Sequence, residues 1–214
     1  MASSLKSQQR GLRSIAHAER GAYIPLSFAQ QRLWFLVQME GVSEIYHIPL
    51  YVHLKGTLDH AALRCALDRI VGRHEALRTT FLLADGEPVQ QINAADAIRF
   101  YLIEDDLCEQ DNANTELERI TDLEATKAFD LAQGPLIRGR LIRLAEDEHA
   151  LLITMHHIVS DGWSMGILTS ELSELYAVSL ENRQDSLPEL EIQYADYAVW
   201  QRGWMEGEIL QQQA

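Results

Sequence analysis

The sequence predicts an α/β fold in which a mixed, largely antiparallel sheet carries helices packed on it. Two hairpin signatures, 78–92 and 136–155, supply antiparallel strands, and two stretches with apolar residues at helical spacing, 59–73 and 163–180, supply helices. A strand pattern at 45–55 directly ahead of the first of these helices sets a β-then-α order.

Residues 1 to about 22 are polar and irregular and read as a leader or linker, with the folded body from 23 to 214. Ser27 and Gln30 form a capping-box pattern ahead of Phe28, Leu33, Trp34, Leu36 and Val37, which predicts a helix over about 28–39. Ile48, Leu50, Val52 and Leu54 alternate along 45–55, the signature of a strand with one buried face, and Gly56 ends it. Asp59 is placed to cap a helix whose apolar face is Leu63, Leu67, Ile70 and Val71.

Asp85-Gly86 makes the turn of the first hairpin, and a further strand is expected at Ile98–Ile103. A polar helix follows at about 114–128. The second hairpin joins 136–144 to 150–155 through an acidic turn and ends at His156-His157. In the helix over 163–180, Ile167, Leu168, Leu172, Leu175 and Tyr176 are expected on the core face, with Glu171 and Glu174 pointing away. A linker at 184–191 containing Pro188 leads to a last helix over about 193–205, whose Tyr194, Tyr197, Trp200 and Trp204 are its apolar content.

A net charge of −14, from 18 Lys and Arg against 32 Asp and Glu, argues against a nucleic-acid backbone or an anionic membrane as the main partner. No apolar run is long enough to span a bilayer and no signal peptide is evident, so a cytoplasmic location is expected. Cys65 and Cys108 lack the spacing of a metal site or a disulfide framework and read as reduced thiols.

The chemistry concentrates at the corner between the second hairpin and the helix after it, Met155-His156-His157-Ile-Val-Ser160-Asp161-Gly162-Trp163-Ser164. Neighbouring residues at a strand end point to opposite faces, so His156 and His157 are not expected to grip one metal. One ring should pack and the other should face a cleft. Histidine exchanges a proton near neutral pH, which suits transfer of an acyl group to a nucleophile. Asp161 reads either as a helix cap or surface acid, or as a carboxylate that holds the loop by pairing with an arginine.

The run HHIVSDG resembles the HHxxxDG signature of the condensation domains of nonribosomal peptide synthetases. Three more runs are similar to motifs of that family in its own order: Ser27-Phe-Ala-Gln-Gln-Arg-Leu-Trp34, Arg73-His-Glu-Ala-Leu-Arg78-Thr-Thr-Phe81 and Tyr194-Ala-Asp-Tyr197-Ala-Val-Trp200. Heterocyclisation domains carry aspartates where this chain has His156 and His157, and epimerisation domains differ after Gly162, so condensation is the better match. Ser160 ahead of Asp161 looks more like domains that take an L-configured donor.

The resemblance implies a chloramphenicol-acetyltransferase-like lobe, the N-terminal one of two, with the active-site channel between this lobe and a C-terminal lobe that the 214 residues do not include. It implies that a carrier-bound acyl or peptidyl thioester is transferred to the amine of a carrier-bound aminoacyl thioester, with His157 as the catalytic residue. His157 would accept the amine proton or stabilise the tetrahedral intermediate. His156, Asp161 and Gly162 would shape the loop, Arg73 or Arg78 would pair with Asp161, and Ser160, Trp163 and Ser164 are candidates for the substrate channel. No metal and no directly bound cofactor are expected; phosphopantetheine arms would bring the substrates. The implied partners are the second lobe, upstream and downstream carrier domains and an adjacent adenylation domain. A starter domain with a fatty acyl donor, a non-catalytic carrier-docking lobe and a free-standing acyl-CoA transferase are the alternatives. The lobe alone is expected to be inactive.

Overall fold

The fold is described by a computed structural model over residues 14–39, 43–184 and 187–205. Most of the expected leader, and part of the linker around Pro188, lie outside the described residues. In chain order the elements are β1 (Ile24–Pro25), α1 (Phe28–Val37), β2 (His47–Lys55), α2 (His60–Arg73), β3 (Thr79–Ala84), β4 (Glu87–Ile92), β5 (Tyr101–Asp106), α3 (Ala113–Thr126), β6 (Ile137–Ala145), β7 (Glu148–His156), α4 (Gly162–Glu181) and α5 (Tyr194–Trp204). Short 3-10 turns at Ser43–Tyr46 and Glu75–Arg78 lead into β2 and β3.

The main sheet has the order β2-β7-β6-β5, antiparallel except for the parallel pair β5–β6, and a small antiparallel sheet has the order β1-β4-β3. This is the mixed, largely antiparallel α/β architecture that the periodicity predicts. Among the described residues no helix is long and apolar enough to cross a membrane.

The strand at the centre of the main sheet, β7, is buried along almost its whole length because both of its faces are covered. On one face Leu151, Ile153 and Met155 meet Leu63, Leu67 and Ile70 of α2 and Leu168, Leu172 and Leu175 of α4. On the other face Ala150 and Leu152 meet Ile120 of α3. Burial of an aliphatic side chain contributes about 1.5–3 kcal/mol, so this double cover makes β7 a stiff spine for whatever its end carries. In β6, Gly139 lies beneath the ring of Phe100; a Cβ there would sit 2.7 Å from the ring and 3.0 Å from the Leu152 carbonyl oxygen, so only glycine fits.

Local signals act as their residue types dictate. Ser27 accepts a hydrogen bond from the backbone of Gln30 while the Gln30 side chain accepts from the Ser27 N–H, completing the capping box of α1. Asp59 caps α2. Asp85 and Gly86 both have positive φ, 52° and 84°, the type I′ pattern that suits a tight hairpin.

Two expectations are corrected. The strand expected at Ile98–Ile103 runs instead over Tyr101–Asp106, because Asp68 accepts the Phe100 N–H at 2.8 Å and Ile98 packs into the core ahead of the strand. Glu171 does not point away from the core: it is 8% exposed, and Ile167 on the expected core face is 44% exposed. Burial of Glu171 is compensated because Arg73 Nε lies 3.2 Å from both its carboxylate oxygens and His74 Nε2 lies 2.6 Å from Oε2. A periodicity argument places a carboxylate by hydropathy and cannot register the arginine and histidine arriving from the end of α2.

Candidate active site

The end of β7 separates its two histidines. His156 is 0% exposed, its N–H bound to the Leu136 carbonyl at 3.0 Å. The His157 side chain is exposed, and its N–H donates to the Tyr46 carbonyl at 2.8 Å. The turn then tightens: Ile158 N–H donates to His156 Nδ1 at 3.1 Å and Val159 N–H to the His156 carbonyl at 3.1 Å. Ile158 itself is buried beside Leu26, Phe81 and Leu136, so the loop carrying His157 is anchored from below by an apolar side chain and from within by its own hydrogen bonds.

His157 lines a cleft of about 220 Å³ whose walls include Gln30 and Leu33 of α1, Ser160 and Asp161 of the loop, Ser164 of α4 and Tyr194 of α5. A second cavity of about 250 Å³ lies alongside, lined mainly by Met155, Leu168, Ile167, Leu190 and Ile192, with His74 and Gln193 at its polar side. Val159, Ser160, Ser164 and Tyr194 line both and form the wall between them. The Ser160 Oγ is buried in that wall and has no hydrogen-bond partner among the described residues.

Burial sets the ionisation of the inner groups. Loss of hydration pushes the His156 imidazole down to about 4, helped by the neighbouring His47 and His157, so it is neutral near pH 7. Burial likewise raises the Tyr194 phenol, which shares a 3.0 Å hydrogen bond with Ser27 Oγ. Asp161 is held below the usual carboxylate range by the Ser164 hydroxyl and backbone N–H, at 2.6 and 2.9 Å.

The expected ion pair of Asp161 with Arg73 or Arg78 does not form. Asp161 is the N-cap of α4, closing a capping box with Ser164. Arg73 binds Glu171 and, at 2.7 Å, the Pro188 carbonyl; Arg78 binds the Asn93 carbonyl and approaches Glu75 at 3.7 Å. Both arginines support the frame around the second cavity and neither reaches the loop. A Cβ at Gly162 would meet nothing within 4 Å, so no internal packing demands glycine there. Trp163 is 82% exposed and lies outside the lining of both cavities.

Two residues near the site take roles that the sequence pattern does not assign them. Gln30, a buried side chain, caps α1 and also points its Nε2 at the Ile158 carbonyl, 3.5 Å away. Asp196, buried completely, ties the start of α5 to the preceding chain: it accepts from Ala18 N at 2.8 Å, Arg20 Nη1 at 2.7 Å and Gln193 N at 2.8 Å. Burial opposes its ionisation, but these hydrogen bonds outweigh it and bring the carboxyl down to about 2. An acid inside the otherwise apolar run Tyr194-Ala-Asp-Tyr197 is the one hint the sequence offers.

Comparison with known proteins gives a consistent answer. The family model described as the Condensation domain matches residues 21–214. The chain is 48% identical over 201 residues to malpibaldin synthetase of Mortierella alpina, and 48% identical over 194 residues to a linear gramicidin synthase of Brevibacillus parabrevis. Those alignments take in 94% and 91% of this chain but only 4% of each relative. Among solved structures, the X-domain from teicoplanin biosynthesis superposes with a TM-score of 0.81 at 31% identity, covering 94% of this chain and 43% of that one.

Proposed function

This chain belongs to the condensation-domain family, and we propose that it is the N-terminal lobe of an amide-forming acyltransferase unit of a nonribosomal peptide synthetase, with His157 as its catalytic residue. The observation that carries the reading is the division of the paired histidines: one is buried and neutral under the loop, and the other is exposed at the mouth of the cleft.

In the proposed reaction the amine of an acceptor aminoacyl thioester attacks the carbonyl carbon of a donor thioester. A C–N bond forms and the C–S bond breaks. His157 takes the proton that the nitrogen loses and returns it to the departing thiolate, or donates to the oxyanion of the tetrahedral intermediate. Thioesters already react with amines, so most of the acceleration comes from holding both ends close in a site that excludes water. The position of Ser160 in the lining of both cavities supports a substrate-binding role for the wall between them.

The substrates arrive on phosphopantetheine arms of upstream and downstream carrier domains in the cytoplasm, an adenylation domain loads the acceptor, and a C-terminal lobe closes the channel over His157. The chain spans 43% of the solved relative's length, in keeping with one lobe of two. The test mixes this polypeptide with a separately produced C-terminal lobe and loaded carrier domains and follows amide product by mass spectrometry. Product that requires both polypeptides supports the proposal. Equal product from residues 1–214 alone would favour a compact stand-alone transferase.

A further inference from the structure

His47 stands directly opposite His156 in the antiparallel pairing of β2 with β7, so the two side chains leave the sheet on the same face, toward α3. Their rings lie 6.0 Å apart, with Phe129 edge-on to both at 5.0 and 6.2 Å. Each ring has one nitrogen satisfied and one buried without a partner among the described residues, and in both cases the orphan is Nε2.

The satisfied nitrogens decide where the protons are. His47 Nδ1 is 2.7 Å from the Ala125 carbonyl oxygen, which can only accept, so Nδ1 carries the proton and Nε2 is a bare acceptor. His156 Nδ1 receives the Ile158 N–H, so it is bare, and the proton of the neutral ring sits on Nε2. The two orphans are therefore complementary, one a donor and the other an acceptor. Leaving both unmade would cost two buried polar groups their hydrogen bonds, whereas one water accepting from His156 Nε2 and donating to His47 Nε2 would satisfy both.

We propose that His47 is a positioning residue for the reaction: through a water-bridged hydrogen bond to His156 it fixes the imidazole on which the turn carrying His157 is built. The chain of bonds runs from the Ala125 carbonyl of α3 through His47 and His156 to the Ile158 N–H, and ends in the loop. The residue beside His47 completes the arrangement, because the Tyr46 carbonyl holds the His157 N–H. The junction of the Ser43–Tyr46 turn with β2 thus orients both histidines of the loop, one through the His47 side chain and one through the Tyr46 backbone. The titratable and charged groups around the pair, among the described residues, are Arg138, which is buried against Phe129 and paired with Glu124, Glu44 in the preceding turn, and His157 itself.

The catalytic part of this inference rests on the proposed function; the protonation pattern does not. The experiment labels histidine ring nitrogens with 15N, reads the tautomers by long-range proton–nitrogen correlation, and measures single-turnover amide formation for wild type, His47→Phe and His47→Gln in the complete enzyme. Expected are His47 protonated on Nδ1 and His156 on Nε2 in the wild type. His47→Phe should shift the His157 ring resonances and slow the turnover by about 10- to 100-fold with carrier affinity unchanged, and His47→Gln, which keeps an acceptor, should recover most of that loss. The opposite tautomer on either ring, or His157 resonances and rate unmoved in His47→Phe, would overturn the relay. The expected tautomers and His157 shifts in a protein that forms no amide would sustain the relay and sink the proposed function instead.

Discussion

Two imidazoles one residue apart reach opposite environments because an extended backbone turns successive side chains to opposite sides. That much follows from the sequence, and so does the choice of His157 as the reactive one once a family pattern is matched. The partner of Asp161 does not follow. The residues alone allow either a helix cap or an arginine partner, and the family resemblance favours the arginine, but Oδ1 of Asp161 takes both the Ser164 hydroxyl and its backbone N–H three residues away, and this local cap forms without the ordering cost of a long-range pair. His47 is invisible in the sequence for a related reason. The alternation of Ile48, Leu50, Val52 and Leu54 marks the apolar face of β2, and His47 lies on the other face, where only the register with β7 reveals its role.

The buried histidine also makes a prediction about pH. A neutral base whose folded-state value is depressed from 6.5 to about 4 binds its proton more readily when unfolded. The stability it contributes is present above pH 6.5 and is lost as the pH falls to 4, by about 3 kcal/mol for His156 alone. His47 and His149, both also lowered chiefly by burial, act in the same direction. Urea unfolding midpoints should already decline between pH 6.5 and about 5, before most carboxylates protonate; a flat profile there would mean that His156 is solvated.

At the scale of elements, α2 and α4 are joined by more than their apolar faces. Glu171 of α4 receives Arg73 and His74 from the end of α2, and Arg73 also holds the Pro188 carbonyl in the segment leading to α5. Hydrophobic spacing locates both helices closely, because their cores are aliphatic stripes; it misplaces Glu171 because its hydrogen-bond partners Arg73 and His74 lie about 100 residues away in sequence. Removing Glu171 leaves His74 Nε2 and Arg73 Nε without their carboxylate in a largely buried place, although Arg73 keeps the Pro188 carbonyl. Glu171→Ala is expected to cost about 3 kcal/mol in thermal or urea unfolding, reduced somewhat by the partial exposure of Arg73 and His74. An effect no larger than that of a surface substitution would show that water reaches the cluster.

Across the whole molecule, the central sheet acts as a rigid mount. β7 is sandwiched by α2 and α4 on one side and α3 on the other, and it delivers its last residues to a cleft walled by α1, α4 and α5. The three sequence runs that resemble family motifs outside the loop contribute Gln30, His74 and Tyr194 to the two cavities, so segments far apart in the chain converge on one site. This convergence cannot be read from spacing alone, since it depends on how the helices cross the sheet. The most direct measurement is the single-turnover rate of amide formation by the complete enzyme with wild-type His157 and with His157→Ala, each checked by thermal unfolding. Because the side chain is exposed and its backbone hydrogen bond survives the substitution, the variant should melt like the wild type while amide formation falls by about 100-fold or more. A wild-type rate from a normally folded His157→Ala enzyme would contradict the assignment of His157 as the catalytic residue.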